Sequence, residues 1–190
     1  TDNNYIRIIA GISYMCNGFV VGHLQHLNWI SCSAFLPWCA WGILNINKSG
    51  SPGNILLTVL IFYFLISSSH PGMIIGSIYF FFAFVLYLLY QQYKNGKQTV
   101  VKNKIKSYTL FLLLLVLLSS GLIAGYTDIL PYFDRNTKVD TALSLVENTT
   151  AESWISLLIP FSTTKNPSFF NNDIAFRNNY FGLVFLCFFS

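Results

Sequence analysis

Long apolar runs alternate with short polar breaks along this chain, and the breaks hold most of its chemistry. Residues 5–21 form a first apolar stretch, with Arg7 near its start and Gly11 and Gly18 spaced for close helix contact. A polar turn follows at residues 22–28. Residues 29–44 predict a second, short span interrupted by Pro37, with Trp38 and Trp41 marking its interfacial part. Residues 45–54 are rich in Asn, Ser, Gly and Pro and predict a loop. A third span covers 55–66 and ends at Ser67-Ser68-Ser69-His70-Pro71-Gly72, and a fourth covers 73–90. Residues 91–107 then read as a polar loop holding Lys94, Lys97, Lys102, Lys104 and Lys106 with no acid. A fifth span, almost pure Leu, runs over 108–125. Residues 126–179 are mixed and hold six of the seven acids, and a further apolar run starts at Tyr180.

The uncharged runs at 74–90 and 108–123 approach the ~20 residues a helix needs to cross a bilayer. They predict an all-α, polytopic helical membrane protein with about five to six transmembrane segments and one long extracytoplasmic segment. The expected organisation is a helical region over 1–125, an extracytoplasmic segment over 126–179 and the start of another span at 180–190. Composition agrees. Only 9% of residues are charged while 54% are hydrophobic, against about a quarter charged in soluble domains. Thr1 is not a Met, and the chain stops inside an apolar run, so the expectation is an internal piece of a longer protein.

Charge sets the expected orientation. Five lysines in one short segment between spans mark a cytoplasmic side, and the same count places Lys48 and Arg7 there too. The net charge of +4 brings no basic, aromatic-interleaved patch, so no nucleic-acid partner is expected. The lipid bilayer is the expected partner. The turns at 22–28 and 67–72 and the segment 126–179 then share the outer face. In that segment, residues 139–147 and 151–159 predict short amphipathic helices, and Trp154, Ile155, Leu157 and Leu158 give the second an apolar side suited to a bilayer surface.

Polar residues wedged between greasy spans are costly in lipid and therefore point to function. His23, Gln25 and His26 lie in the turn at 22–28, and His70 in the turn at 67–72. These four are the candidate substrate-binding residues. Two imidazoles three apart can bind a phosphate oxygen, share a metal or shuttle a proton. Equally, they can bond backbone carbonyls freed by a broken helix. No carboxylate lies near them, which leaves a zinc site incomplete, so no metal is expected. Cys16, Cys32, Cys39 and Cys187 form no C-x-x-C pair and read as packing residues.

Several motifs in order resemble a known family. They are Gly18-Phe19-Val20-Val21-Gly22-His23-Leu24-Gln25-His26-Leu27, then Ser33-Ala34-Phe35-Leu36-Pro37-Trp38. Ser69-His70-Pro71-Gly72, Leu130-Pro131-Tyr132, residues 155–160 and Asn179-Tyr180-Phe181-Gly182 follow. Together they are similar to bacterial YfhO-type integral membrane proteins, which are related to GT-C glycosyltransferases. The Ser-Ser before His70 departs from the Gly-Gly of many relatives. The resemblance implies a multi-pass protein of the bacterial cytoplasmic membrane that transfers a sugar from a polyprenyl-phosphate carrier at the outer face. It also implies a catalytic carboxylate in the first outer loop, which would precede Thr1. It leaves the cofactor unknown. A transporter or lipid-handling protein using the same outer cavity is the alternative. Transporters place polar residues at mid-membrane in repeated, interrupted helices, a pattern the spans here do not show.

Overall fold

A computed structural model of the protein describes residues 4–24, 26–96, 98–132 and 151–157, together with 159 and 162. All regular elements among the described residues are helical. They are α1 (Asn4–Met15), α2 (Gly18–Gly22), α3 (Leu27–Lys48), α4 (Pro52–Ser68), α5 (Pro71–Lys94) and α6 (Gln98–Ile129). Tight 3₁₀ turns cover Leu130–Tyr132 and Ala151–Leu157. The chain divides into two compact units, Leu27–Phe133 being one and Thr1–His26 with Asp134–Ser190 the other. The expected helix at 139–147 and the expected span from 180 lie outside the described residues.

In the unit Leu27–Phe133, α3 to α6 run alternately up and down, and α4 packs most closely on α3 and α6. Position 42 shows why α3 and α4 come so near. A Cβ built on Gly42 would lie 2.8 Å from both Cγ2 and Oγ1 of Thr58. Only glycine leaves room, which is how small residues let membrane helices approach. Thr58 is fully buried, and its hydroxyl donates to the Asn54 carbonyl at 2.6 Å. Further along α4, the Phe62 ring meets Phe81 of α5 and Phe111 of α6 edge-on, each with centroids 5.1 Å apart. These three rings with Ile43, Val59 and Leu65 form the core.

Both ends of this unit are polar. At one end Lys104 Nζ donates to the Ile46 carbonyl at 3.2 Å, next to the C-terminus of α3. Beside it, Tyr108 Oη donates to Ile43 O (3.4 Å) and Gln92 Nε2 to Asn47 Oδ1 (2.7 Å). This is the lysine end. At the other end α3 and α5 begin, and Trp29 meets His70 with ring centroids 5.5 Å apart. Between the ends the outward faces are bare hydrocarbon: Phe80, Phe82, Leu86, Leu113 and Leu117 are each at least half exposed. An apolar band of that kind suits lipid rather than water.

Among the described residues, three helices are long and apolar enough to cross a membrane: Leu27–Lys48, Pro71–Lys94, and α6 with its following turn, Gln98–Tyr132. The expected count of five to six is not confirmed by them, for specific reasons. The stretch 5–21 is not one helix. Asn17 stops it by capping both sides: its Nδ2 donates to Tyr14 O (2.7 Å) and its Oδ1 accepts from Val20 N (2.9 Å). At 12 residues, α1 reaches only about 18 Å. The 17 residues of α4 give about 25 Å, short of the ~30 Å hydrocarbon core.

Two other expectations need correction. Pro37 does not interrupt the second span, since α3 runs straight through it. A membrane helix tolerates the missing N–H because neighbouring groups re-satisfy the backbone. The polar loop at 91–107 is mostly helix. Lysine is a good helix former, so the charges ride on the end of α5 and the start of α6. Only Asn95 to Lys97 separate the two helices, turned by Gly96 at φ 71°, a left-handed conformation that glycine adopts without cost. The loop at 45–54 shrinks likewise to Ser49–Ser51, because α3 continues to Lys48 and Pro52 opens α4.

Candidate functional site

Where α4 hands over to α5, the sequence Ser69-His70-Pro71-Gly72 makes a very tight turn. Proline at the first helical position has no N–H to waste and a φ preset for a helix. His70 supplies the N-cap: its Nδ1 accepts the Gly72 N–H at 3.2 Å. An accepting Nδ1 bears no proton, so in the neutral ring the hydrogen sits on Nε2 and is available to a ligand oxygen. Ser69, beside it, is 6% exposed, and its Oγ makes no hydrogen bond among the described residues. A buried hydroxyl in that state is costly.

The N-termini of α3 and α5 lie at this same end and carry a partial positive charge, although the first N–H groups of α5 are taken up, Gly72 by His70 Nδ1 and Met73 and Ile74 by His70 O. Trp29, in the first turn of α3, packs against the His70 ring. From the level of Ile46, α3 rises 19 residues back to Leu27, whereas α6 rises 24 residues from Lys104 to Asp128. At 1.5 Å per residue, Asp128 therefore stands roughly 7 Å beyond the start of α3. It is exposed, and it is the one carboxylate among the described residues of this unit. An acid in the last turn of a helix opposes the macrodipole, so it contributes nothing to helix stability there. The sequence signal for Asp128 is that no acid precedes it after Asp2.

His23 and His26 belong to the other unit. His23 ends α2, is 2% exposed and stacks on Phe19 with centroids 4.4 Å apart. Its Nδ1 lies 2.8 Å from the Phe19 carbonyl, which can only accept, so Nδ1 carries the hydrogen. That contact is the one expected of a residue bonding a carbonyl at a helix end. His26 is exposed, its N–H donates to His23 O (2.8 Å), and the two imidazoles stand 6.2 Å apart. The turn brings these two rings together, though not on one helical face. Gln25 lies outside the described residues. No group of three or more potential metal ligands occurs among the described residues.

In Ala151–Leu157 the short helix is 3₁₀ rather than α. Its fully buried residues are Ser153 and Ser156, with Ser156 Oγ donating to Ser153 O (2.7 Å). Trp154 and Ile155 are 64% and 49% exposed, so the apolar side is turned outward.

No protein-family model, curated protein or solved structure matches the chain. The resemblance to YfhO-type proteins therefore rests on the quoted motifs alone.

Proposed function

We propose that this chain is a membrane glycosyltransferase-like protein that accepts a sugar carried on polyprenyl phosphate at its extracytoplasmic face. The observation that supports this most is the polar junction where α3 and α5 begin. The N-terminus of α3, the positive dipole end of α5 and the Nε2–H of His70 lie there at the end of otherwise bare apolar helices. A phosphate on a lipid tail needs such a combination: donors at the interface and hydrocarbon beside them. With the lysine end cytoplasmic, the junction faces outward.

In the proposed reaction, His70 Nε2 and the first amides of α3 hold the donor's phosphate, stabilising the charge it gains as the glycosidic C–O bond breaks. An acceptor hydroxyl attacks the anomeric carbon and passes its proton to Asp128, which acts as general base. His23 and His26 are candidates for acceptor or phosphate contact within their own unit. The test is sugar transfer from a polyprenyl-phosphate donor by the protein in reconstituted membranes. Loss of one hydrogen bond to a charged oxygen is worth about 1.5–3 kcal/mol, so His70→Ala should slow turnover about tenfold to a hundredfold. His70→Gln, which still donates, should be milder. Full turnover by folded His70→Ala would remove the phosphate role.

A transporter or lipid-handling protein is the second reading. It is favoured by a groove between α5 and α6 whose lining carries no charged side chain.

A further inference from the structure

The groove just mentioned has a floor and two walls. Phe62, Phe81 and Phe111 form its buried floor. Ile78, Phe82 and Leu86 of α5 and Leu112 and Val116 of α6 form rims that are each at least half exposed. Its volume is about 450 Å³, in the range of sites that hold a small molecule. Along α6 the lining extends from Ile105 to Ile123, about 27 Å of helix.

What distinguishes its two mouths is charge. On α6 the lining residues Ile105, Thr109, Leu112 and Val116 follow helical spacing, and one turn before Ile105 the same stripe reaches Lys102. On α5 the stripe passes Leu89 and continues to Gln92 and Tyr93, with Lys94 next in the chain. Lys94, Lys102 and Lys106 are all exposed, and no acidic residue occurs anywhere between Asp2 and Asp128. Gln92 adds an Oε1 that is buried without a hydrogen bond among the described residues. The positive-inside tendency accounts for lysines on one side of a membrane but not for a hydrocarbon groove opening among them.

We infer that the α5–α6 groove seats an anionic glycerophospholipid of the leaflet at the lysine end. Its acyl chains lie over Phe81 and Phe111, and its phosphate lies among Lys94, Lys102 and Lys106. Charge complementarity selects this occupant. A second protein helix would leave these lysines without counter-charge, and a zwitterionic lipid would add no net attraction. The site is separate from the His70 junction, which lies at the opposite end of α5.

Native mass spectrometry of the whole chain, titrated in detergent with phosphatidylglycerol or phosphatidylcholine, tests the inference. A lysine near the headgroup favours an anionic lipid severalfold, so phosphatidylglycerol should bind about tenfold more tightly than phosphatidylcholine. The Lys94→Gln, Lys102→Gln, Lys106→Gln triple variant should abolish that preference and leave phosphatidylcholine binding unchanged. Val116→Trp, which closes the groove at an exposed position, should weaken both lipids. Equal affinity for the two lipids, or a preference that survives the triple lysine change, would overturn the headgroup assignment. Undiminished binding to Val116→Trp, or a stable dimer that excludes lipid, would overturn the groove. A polyprenyl phosphate that displaces phosphatidylglycerol at equal concentration would assign the groove to the sugar donor and overturn the inference too.

Discussion

Replacing Gly42 with alanine puts one methyl where α3 and α4 touch, and the structure fixes what it meets. The new Cβ would lie 2.8 Å from Thr58 Cγ2 and Oγ1 and 3.2 Å from Thr58 Cβ. Thr58 has little freedom to yield, since it is fully buried and its hydroxyl is bound to Asn54 O. Overpacking of this kind costs about 1–3 kcal/mol, while alanine in place of glycine returns about 1 kcal/mol of helix propensity. The net loss should be about 0–2 kcal/mol, a small number that hides two larger ones. A double-mutant cycle separates them. Thr58→Ala removes the two clashing atoms, so Gly42→Ala should become favourable in that background, with a coupling of about 1–3 kcal/mol. Gly76 and Gly121 have nothing within 4 Å of a built Cβ, and alanine at either should stabilise by several tenths of a kcal/mol or more. Thermal unfolding in detergent reads all of these, at roughly 2–4 °C per kcal/mol for a chain of this size. If Gly42→Ala stabilises as much as Gly76→Ala and shows no coupling to Thr58, the close α3–α4 packing is refuted.

Other consequences are equally direct. Asn17→Ala removes caps from α1 and α2 and should cost about 0.5–2 kcal/mol, read as faster amide exchange at Val20; unchanged protection there would contradict the capping. Lys104→Ala should cost about 1.5–3 kcal/mol in unfolding free energy, since a charged donor to Ile46 O is lost; a neutral result would show that the contact contributes nothing. In a cysteine-free background, a single cysteine at Gln98 should resist labelling in intact cells while one at Ser144 reacts, and the reverse pattern would invert the proposed orientation. With Trp154 as sole tryptophan, lipids brominated near the headgroup should quench its fluorescence; quenching by aqueous iodide alone would place it in water.

Long apolar runs were legible in the sequence because hydropathy reports burial in lipid directly: α5 and α6 stand where 73–90 and 108–125 predicted, each only longer. The errors arose where composition was taken for conformation. Lysines at 94 and 102–106 looked like a loop, yet charge does not break a helix. Pro37 looked like a break, yet its missing N–H is a local loss that α3 absorbs. The break that does occur, at Asn17-Gly18, was hidden in an apolar run although Asn-Gly is a turn signal. Among the candidate residues, the position of His70 before Pro71 announced a turn, but its capping geometry did not follow from spacing. Ser69 and Asp128 gained interest only once burial and the overshoot of α6 were known, since neither hydrogen-bond deficits nor helix register can be read along a chain.

The most direct test of the proposed function is to ask where a polyprenyl phosphate sits. A donor analogue with a photoreactive group next to its phosphate, irradiated with the protein in membranes and mapped by peptide mass spectrometry, answers that. The account predicts adducts in the peptides that carry Trp29 and His70, suppressed when unmodified polyprenyl phosphate is in excess. Adducts confined to the peptides around Lys94 and Lys102, or spread evenly along α5 and α6, would contradict it.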